Sequence, residues 1–181
     1  KQVKIGPPTD RSTRVAAIIN EKQVKRVLEF FEIAKEEGAK ILYGGKRVTV
    51  TGYEHGYFIE PTIIEADSNM RIAQEEIFGP AVTLTRWSEI DDVIKMANSV
   101  DYGLAAGIMT ENLELALKTA NQIEAGSVWI NTYFNFQTGA PFGGYKSSGV
   151  GREYGKEALD AYSQSKTIVA GYQLPPSGFF I

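Results

Sequence analysis

An α/β architecture, a parallel sheet flanked by helices, is predicted by three features of the 181-residue chain. Strand-like and helix-like segments alternate from Ala81 to Ile130, and such alternation implies parallel pairing through right-handed crossovers. The strand segments are continuously apolar instead of alternating, as expected where helices cover both faces of a sheet. An apolar share of 43%, with nine Phe, nine Tyr and two Trp, is enough for the core of one domain.

The elements follow in order. Pro7-Pro8-Thr9-Asp10 marks a turn-rich opening without periodicity. Asn20 is a helix N-cap with Gln23 in the capping-box position. Val24, Val27, Leu28 and Phe31 then recur at the spacing of one helical face, and Gly38 closes the helix in a left-handed turn. Ile41-Leu42-Tyr43 is a short strand ended by Gly44-Gly45, and the polar stretch 46–56 has no clear pattern. Tyr57-Phe58-Ile59 and Thr62-Ile63-Ile64 are extended segments on either side of Pro61. Asn69 to Glu76 suits a short helix, and Ala81 to Thr85 a strand. Ser88 is the expected cap of a helix with Glu89, Asp91 and Asp92 in its first turn, where the helix dipole favours them. Its buried face is expected to be Ile90, Val93, Ile94 and Ala97. Leu104 to Met109 is the next strand, and Thr110 the expected cap of a helix burying Leu113, Ala116, Leu117 and Ala120. Gly126 breaks that helix before the strand Ser127 to Ile130. A long Gly- and aromatic-rich loop covers 131–150, a length that usually serves function. A helix over 151–162 and a strand at Thr167-Ile168-Val169 complete the series.

Bulk properties exclude several classes. The net charge is −3, with both signs mixed and no basic stripe, so nucleic-acid binding has no electrostatic support. Apolar runs fall well short of the roughly 20 residues of a membrane span, and no leader-like apolar core is seen at Lys1 to Pro7. There is no cysteine, which removes disulfides and thiol catalysis and fits a cytoplasmic location. A single histidine, His55, leaves no multi-histidine metal site.

Four motifs invite chemistry. Glu75-Glu76 could be a catalytic pair or two solvated acids, but the run Glu75-Glu76-Ile77-Phe78-Gly79-Pro80 adds a glycine that permits close approach and a proline that fixes the loop exit. Asn131 to Phe136 and Pro141-Phe142 bring aromatic rings to a loop leaving a strand end, where α/β sheets place ligands. Those rings could equally be core. Lys146 reads as solvated or loop-bracing, with a Schiff-base or phosphate role less suited to its surroundings. Gly149-Val150-Gly151-Arg152-Glu153-Tyr154-Gly155 has the wrong spacing for a dinucleotide fingerprint and follows no good strand; Arg152-Glu153 is expected to order the junction.

Gln74 to Pro80, Trp129-Ile130-Asn131, Pro141-Phe142-Gly143-Gly144-Tyr145-Lys146 and Gly149 to Glu153 together resemble the C-terminal part of NAD(P)-dependent aldehyde dehydrogenases. Gly56 to Thr62, Tyr102 to Ala106 and Ser165-Lys166-Thr167 are similar to family segments in the same order. The resemblance implies a partial catalytic domain over 1–163, an oligomerisation strand over 164–173 and a tail over 174–181. No family counterpart is evident beyond Tyr172. It assigns Glu76 and Phe78 to the nicotinamide ribose of NAD or NADP, with weak or no binding by this chain alone. Phe134, Phe136 and Phe142 line the aldehyde channel, Asn131 is structural, and no catalytic or metal-binding residue is assigned. The family's nucleophilic cysteine, general-base glutamate and cofactor domain lie N-terminal to this region, so a separate N-terminal portion is an expected partner, alongside the aldehyde substrate and further copies of the chain. Chemistry in the complete enzyme would be thiolate attack on an aldehyde, hydride transfer to NAD(P)+ and thioester hydrolysis to a carboxylic acid. The alternative is a non-catalytic, self-associating module that kept the fold.

Overall fold

The computed structural model describes residues 3–172. The first long element, α1 (Glu21–Glu36), starts where expected: the Asn20 side chain accepts from the Gln23 amide at 2.9 Å. The capping box is not closed, however, because the Gln23 side-chain amide turns across the fold instead of back to Asn20. Gly38, at φ +87°, follows the helix end. The buried face is Val24, Val27, Phe30, Phe31 and Ala34, with Leu28 half-buried at its margin.

That face packs on a small mixed sheet. Strand β1 (Lys40–Tyr43) runs antiparallel to β4 (Thr62–Glu65), which runs parallel to β5 (Ala81–Leu84). Strand β2 (Arg47–Val48), inside the stretch that shows little pattern, pairs antiparallel with β3 (Phe58–Ile59), in the segment expected to be extended. One turn of helix, α2 (Arg71–Gln74), links β4 to β5. Ile59, Ile64, Ala66, Ile72 and Ile77 complete the main core with α1.

The second half forms its own ladders. After α3 (Ile90–Asn98) come β6 (Tyr102–Gly103) and β7 (Ala105–Ile108), then α4 (Leu113–Gln122) and β8 (Ser127–Ile130). Strands β7 and β8 pair in parallel, while β6 pairs antiparallel with β9 (Tyr145–Lys146) inside the long loop. Helix α5 (Lys156–Ala161) is shorter than the helix predicted over 151–162. Gly126 packs directly under the Gly143 carbonyl, so a side chain there would collide with backbone.

The αβ alternation and its two parallel pairs are present, but a single parallel sheet is not formed among the described residues. No ladder joins β5 to β7, and β1 gives the first sheet an antiparallel member. Two caps also move. Asn112, not Thr110, caps α4, accepting from the Leu115 amide at 3.0 Å. Glu89, not Ser88, occupies the cap position of α3, without a side-chain bond. Helix α4 buries Ala116 and Thr119 and leaves Leu113 and Leu117 exposed, a rotation of the face expected from apolar spacing. Ala97 of α3 is exposed as well. Residues 163–172 carry no helix or strand within this single chain, while the tail 174–181 lies outside the described residues.

Candidate functional site

The segment after α2 leaves the helix extended at Glu75. The Arg71 guanidinium grips both Glu75 oxygens, with Nη2 at 3.2 Å from Oε2, and holds that carboxyl below its ordinary range. Glu76 is treated differently. Its exposed carboxylate makes no hydrogen bond or ion pair among the described residues. It lines a cavity of about 560 Å³ together with Tyr102, Leu104, Ala106, Glu124 and Ser148. A second, smaller cavity of about 380 Å³ runs from Glu76 past Phe78 to Val82 and Thr83 of β5.

Ile77, 8% exposed, roots the loop in the core. Phe78 then adopts φ +56° and is 74% exposed. A bulky residue in left-handed backbone is uncommon, and such strain clusters where structure serves a site. Behind the loop, Gln23 Nε2 donates to the carbonyls of Ile77 (3.0 Å) and Phe78 (2.9 Å), and Arg26 Nη2 donates to that of Glu76 (2.9 Å).

The three channel candidates meet in one aromatic cluster. Phe136 stands at its centre, edge-on to Phe134 and Phe142 with centroids 4.8 Å away in each case. Trp129 lies 5.6 Å from Phe136, also edge-on, and Tyr154 stacks on it at 5.7 Å. Such pairings satisfy the ring quadrupoles. Trp129 Nε1 donates to the Asn135 carbonyl at 2.9 Å, tying the loop to β8. Phe134 is left-handed at φ +60° and 65% exposed, so it stands at the solvent edge of the cluster.

The remaining candidates act as braces. Asn131, at φ +55°, accepts from the Thr110 amide (2.9 Å) and donates to its carbonyl (2.8 Å), closing β8 onto the end of β7. Lys146 donates to the carbonyls of Asn98 (2.7 Å) and Val100 (3.1 Å) and pairs with Glu124 at 2.7 Å. It therefore ties the loop to the end of α3, the bracing role expected of it. Arg152 donates to the Gly144 carbonyl at 3.0 Å, and Glu153 exchanges backbone bonds with Phe142, which orders the junction. His55 is exposed.

Glu76 and Phe78 thus share one loop, and Phe134, Phe136 and Phe142 share one cluster. No hydrogen bond, ion pair or ring contact joins the two groups among the described residues, although Ser147 and Ser148 of the aromatic loop line the Glu76 cavity. Sequence reasoning missed Gln23 and Arg26 behind the loop, and Trp129 and Tyr154 as walls of the cluster. The helical spacing of Gln23, Arg26 and Val27 was the available signal, but nothing local says what the face meets.

The chain matches the aldehyde dehydrogenase family over residues 1–168. It is 46% identical over 169 residues to an aldehyde dehydrogenase of Enchytraeus buchholzi, covering 93% of this chain and 33% of that protein. It is 44% identical to fluoroacetaldehyde dehydrogenase of Streptantibioticus cattleyicolor, covering 99% and 36%. That alignment carries the likeness beyond Tyr172, where the sequence alone showed no counterpart. Among solved structures, a betaine aldehyde dehydrogenase double mutant from Staphylococcus aureus in complex with NAD+ superposes with a TM-score of 0.93 at 38% identity, over 99% of this chain and 36% of that one. The chain spans about a third of the length of the relatives it matches. With a family match over nearly the whole of its length, the chain belongs to the aldehyde dehydrogenase family.

Proposed function

We propose that this chain supplies the nicotinamide-ribose contacts and the aldehyde channel of an enzyme that oxidises an aldehyde to a carboxylic acid with NAD(P)+. The nucleophile and most of the cofactor site come from a segment outside these residues; the chain itself has no cysteine. One observation carries the reading: of two adjacent acids, Glu75 is consumed by Arg71, while Glu76 is left free at a cavity beside an outward-facing Phe78.

That pair fits a ribose. Vicinal hydroxyls are donors, and an ionised carboxylate with two free oxygens accepts from both. Phe78 offers an apolar face that keeps the neighbouring ring from sliding. When bound, the cofactor supplies the hydride acceptor. Glu76 fixes its ribose, and Phe78 limits its tilt, so that the acceptor carbon is held for transfer. Phe134, Phe136 and Phe142 take up the apolar part of the aldehyde and exclude water from the reacting centre.

The open strand edges support completion by a further segment. Among the described residues β5 pairs only with β4, and β7 only with β8, leaving backbone donors and acceptors that a further strand would satisfy. The exposed run of Ile168, Val169 and Tyr172 supports self-association through the C-terminal segment.

Complementation tests the reading. The chain, co-expressed with the N-terminal two-thirds of the Enchytraeus relative carrying that enzyme's nucleophile, should form NAD(P)H with an aldehyde. The chain alone should not. A well-folded complex of the two portions that never reduces the cofactor would sink the proposal in favour of a structural module.

A further inference from the structure

We propose that Lys146 is a positioning residue that holds the cofactor side and the aldehyde side of the site in register; this rests on the reading of Glu76 and Phe142 given above. The 131–155 loop serves both sides. Phe142 belongs to the aromatic cluster, while Ser147 and Ser148 line the Glu76 cavity. Lys146 stands between them in the chain, at φ +51°, a backbone region that a lysine rarely adopts. Its side chain is 26% exposed and spends three donors on three acceptors, the carbonyls of Asn98 and Val100 and the Glu124 carboxylate. Those acceptors lie on the two other segments of the cavity wall, the exit of α3 and the turn from α4 to β8.

Asn98 joins those two segments to each other: its side chain donates to the Gln122 carbonyl at 2.7 Å and accepts from the Glu124 amide at 2.9 Å. Lys146 adds the loop to this joint, and its charge-assisted bonds over-determine the left-handed turn. Beyond the turn, the Ser147 amide donates to the Asp101 carbonyl and the Gly103 amide to Ser148 Oγ, both at 3.0 Å. Toward Phe142 the loop has no more slack. Gly144 is buried, Arg152 donates to its carbonyl at 3.0 Å, and Phe142 exchanges backbone bonds with Glu153 at 2.9 and 2.7 Å. A displacement at Lys146 therefore reaches Phe142 as well as Ser148. Oxidation breaks the C–H bond of the aldehyde-derived carbon and passes hydride, with its electron pair, to NAD(P)+. That step is steep in the placement of one reactant against the other. A shifted loop leaves each binding surface formed but misplaced relative to the other, so the loss falls on kcat and not on KM.

Three substitutions test the role. Lys146→Met keeps the stem and loses the donors, Lys146→Gly loses the tie while suiting left-handed backbone, and Lys146→Arg keeps charge and donors. In the full chain, amide hydrogen exchange at Ser147 and Gly103 reports the tie, and exchange at Ile64 reports the core. In the complemented enzyme, kcat and both KM values are measured with an aldehyde and with its C1-deuterated form. Lys146→Met and Lys146→Gly should speed exchange at Ser147 and Gly103 and leave Ile64 unchanged. Their kcat should fall about tenfold and show a primary deuterium effect, with both KM values within about twofold. Lys146→Arg should recover most of kcat. Unchanged Ser147 and Gly103 exchange in both variants would overturn the tie, whatever the loop lines. Faster exchange with kcat unmoved, without a deuterium effect, or with the loss carried by either KM would overturn the positioning role and leave the reading of the site standing. That reading would itself fall, and the proposal with it, if Glu76→Gln left the cofactor KM unmoved and Phe142→Ala the aldehyde KM.

Discussion

Two adjacent glutamates in this chain show how far identical side chains can diverge. Arg71, four residues back at the start of α2, pairs with Glu75 and leaves Glu76 to the cavity. Phe78 makes the complementary case, an aromatic residue kept in left-handed backbone and mostly in solvent. Phe78→Gly should therefore stabilise the chain slightly, by about 0.5–1 kcal/mol, since relief of left-handed strain exceeds the entropy cost of glycine. Thermal melts should show a rise of about 2 °C. Cofactor binding by the complemented enzyme should weaken at the same time, separating stability from function. Near the N-terminus, Lys4 at 2.7 Å and the Ser12 hydroxyl hold the Asp10 carboxyl far below its ordinary 3.8. A depressed folded-state pKa stabilises the fold above the ordinary value and loses that effect as pH falls through the folded one. Asp10→Asn should thus melt below the unsubstituted chain at neutral pH. The gap should hold down to about pH 4 and close on further acidification, as melts across that range would show.

At the scale of elements, α1 and the 131–155 loop do the positioning by different means. The helix uses a regular face, so its buried residues are legible from spacing, and Phe30 and Ala34 extend that face beyond the four expected positions. The loop has no period and is ordered by rings and glycine contacts instead. Phe136 touches four other rings, so Phe136→Ala should cost about 2 kcal/mol, below the full core value because the residue is only half-buried. Chemical denaturation would measure that loss. Phe134→Ala, at a ring that is mostly exposed, should cost less than half as much.

Many large apolar side chains lie uncovered among the described residues. Val82 and Leu84 on β5, Leu113 and Leu117 on α4, and Leu159, Tyr162, Ile168, Val169 and Tyr172 toward the C-terminus are all exposed. Surfaces of this kind mark contacts with further protein. The C-terminal run is the part separable from the fold, since residues 164–172 are all exposed and form no helix or strand among the described residues. Removing residues 164–181 should lower the number of chains in the sedimenting species while leaving the melting of the 1–163 core within about 2 °C. An unchanged number of chains would place self-association elsewhere, on β5 or α4.

Local order was written in the sequence. The Asn20 cap, the apolar face of α1, the strands around Pro61 and the glycine breaks follow from propensity and spacing, which act within a few residues. The family resemblance rests on short motifs in a fixed order, and these too are local. Tertiary structure decided what depends on partners far along the chain. The pairing of β5 with β4 but not β7, the rotation of α4 that exposes Leu113 and Leu117, and the reach of Gln23 to carbonyls more than fifty residues away have no local signature. Each depends on which surfaces meet, and a hydrogen bond or a buried face is chosen only when the competing partners have been brought within reach.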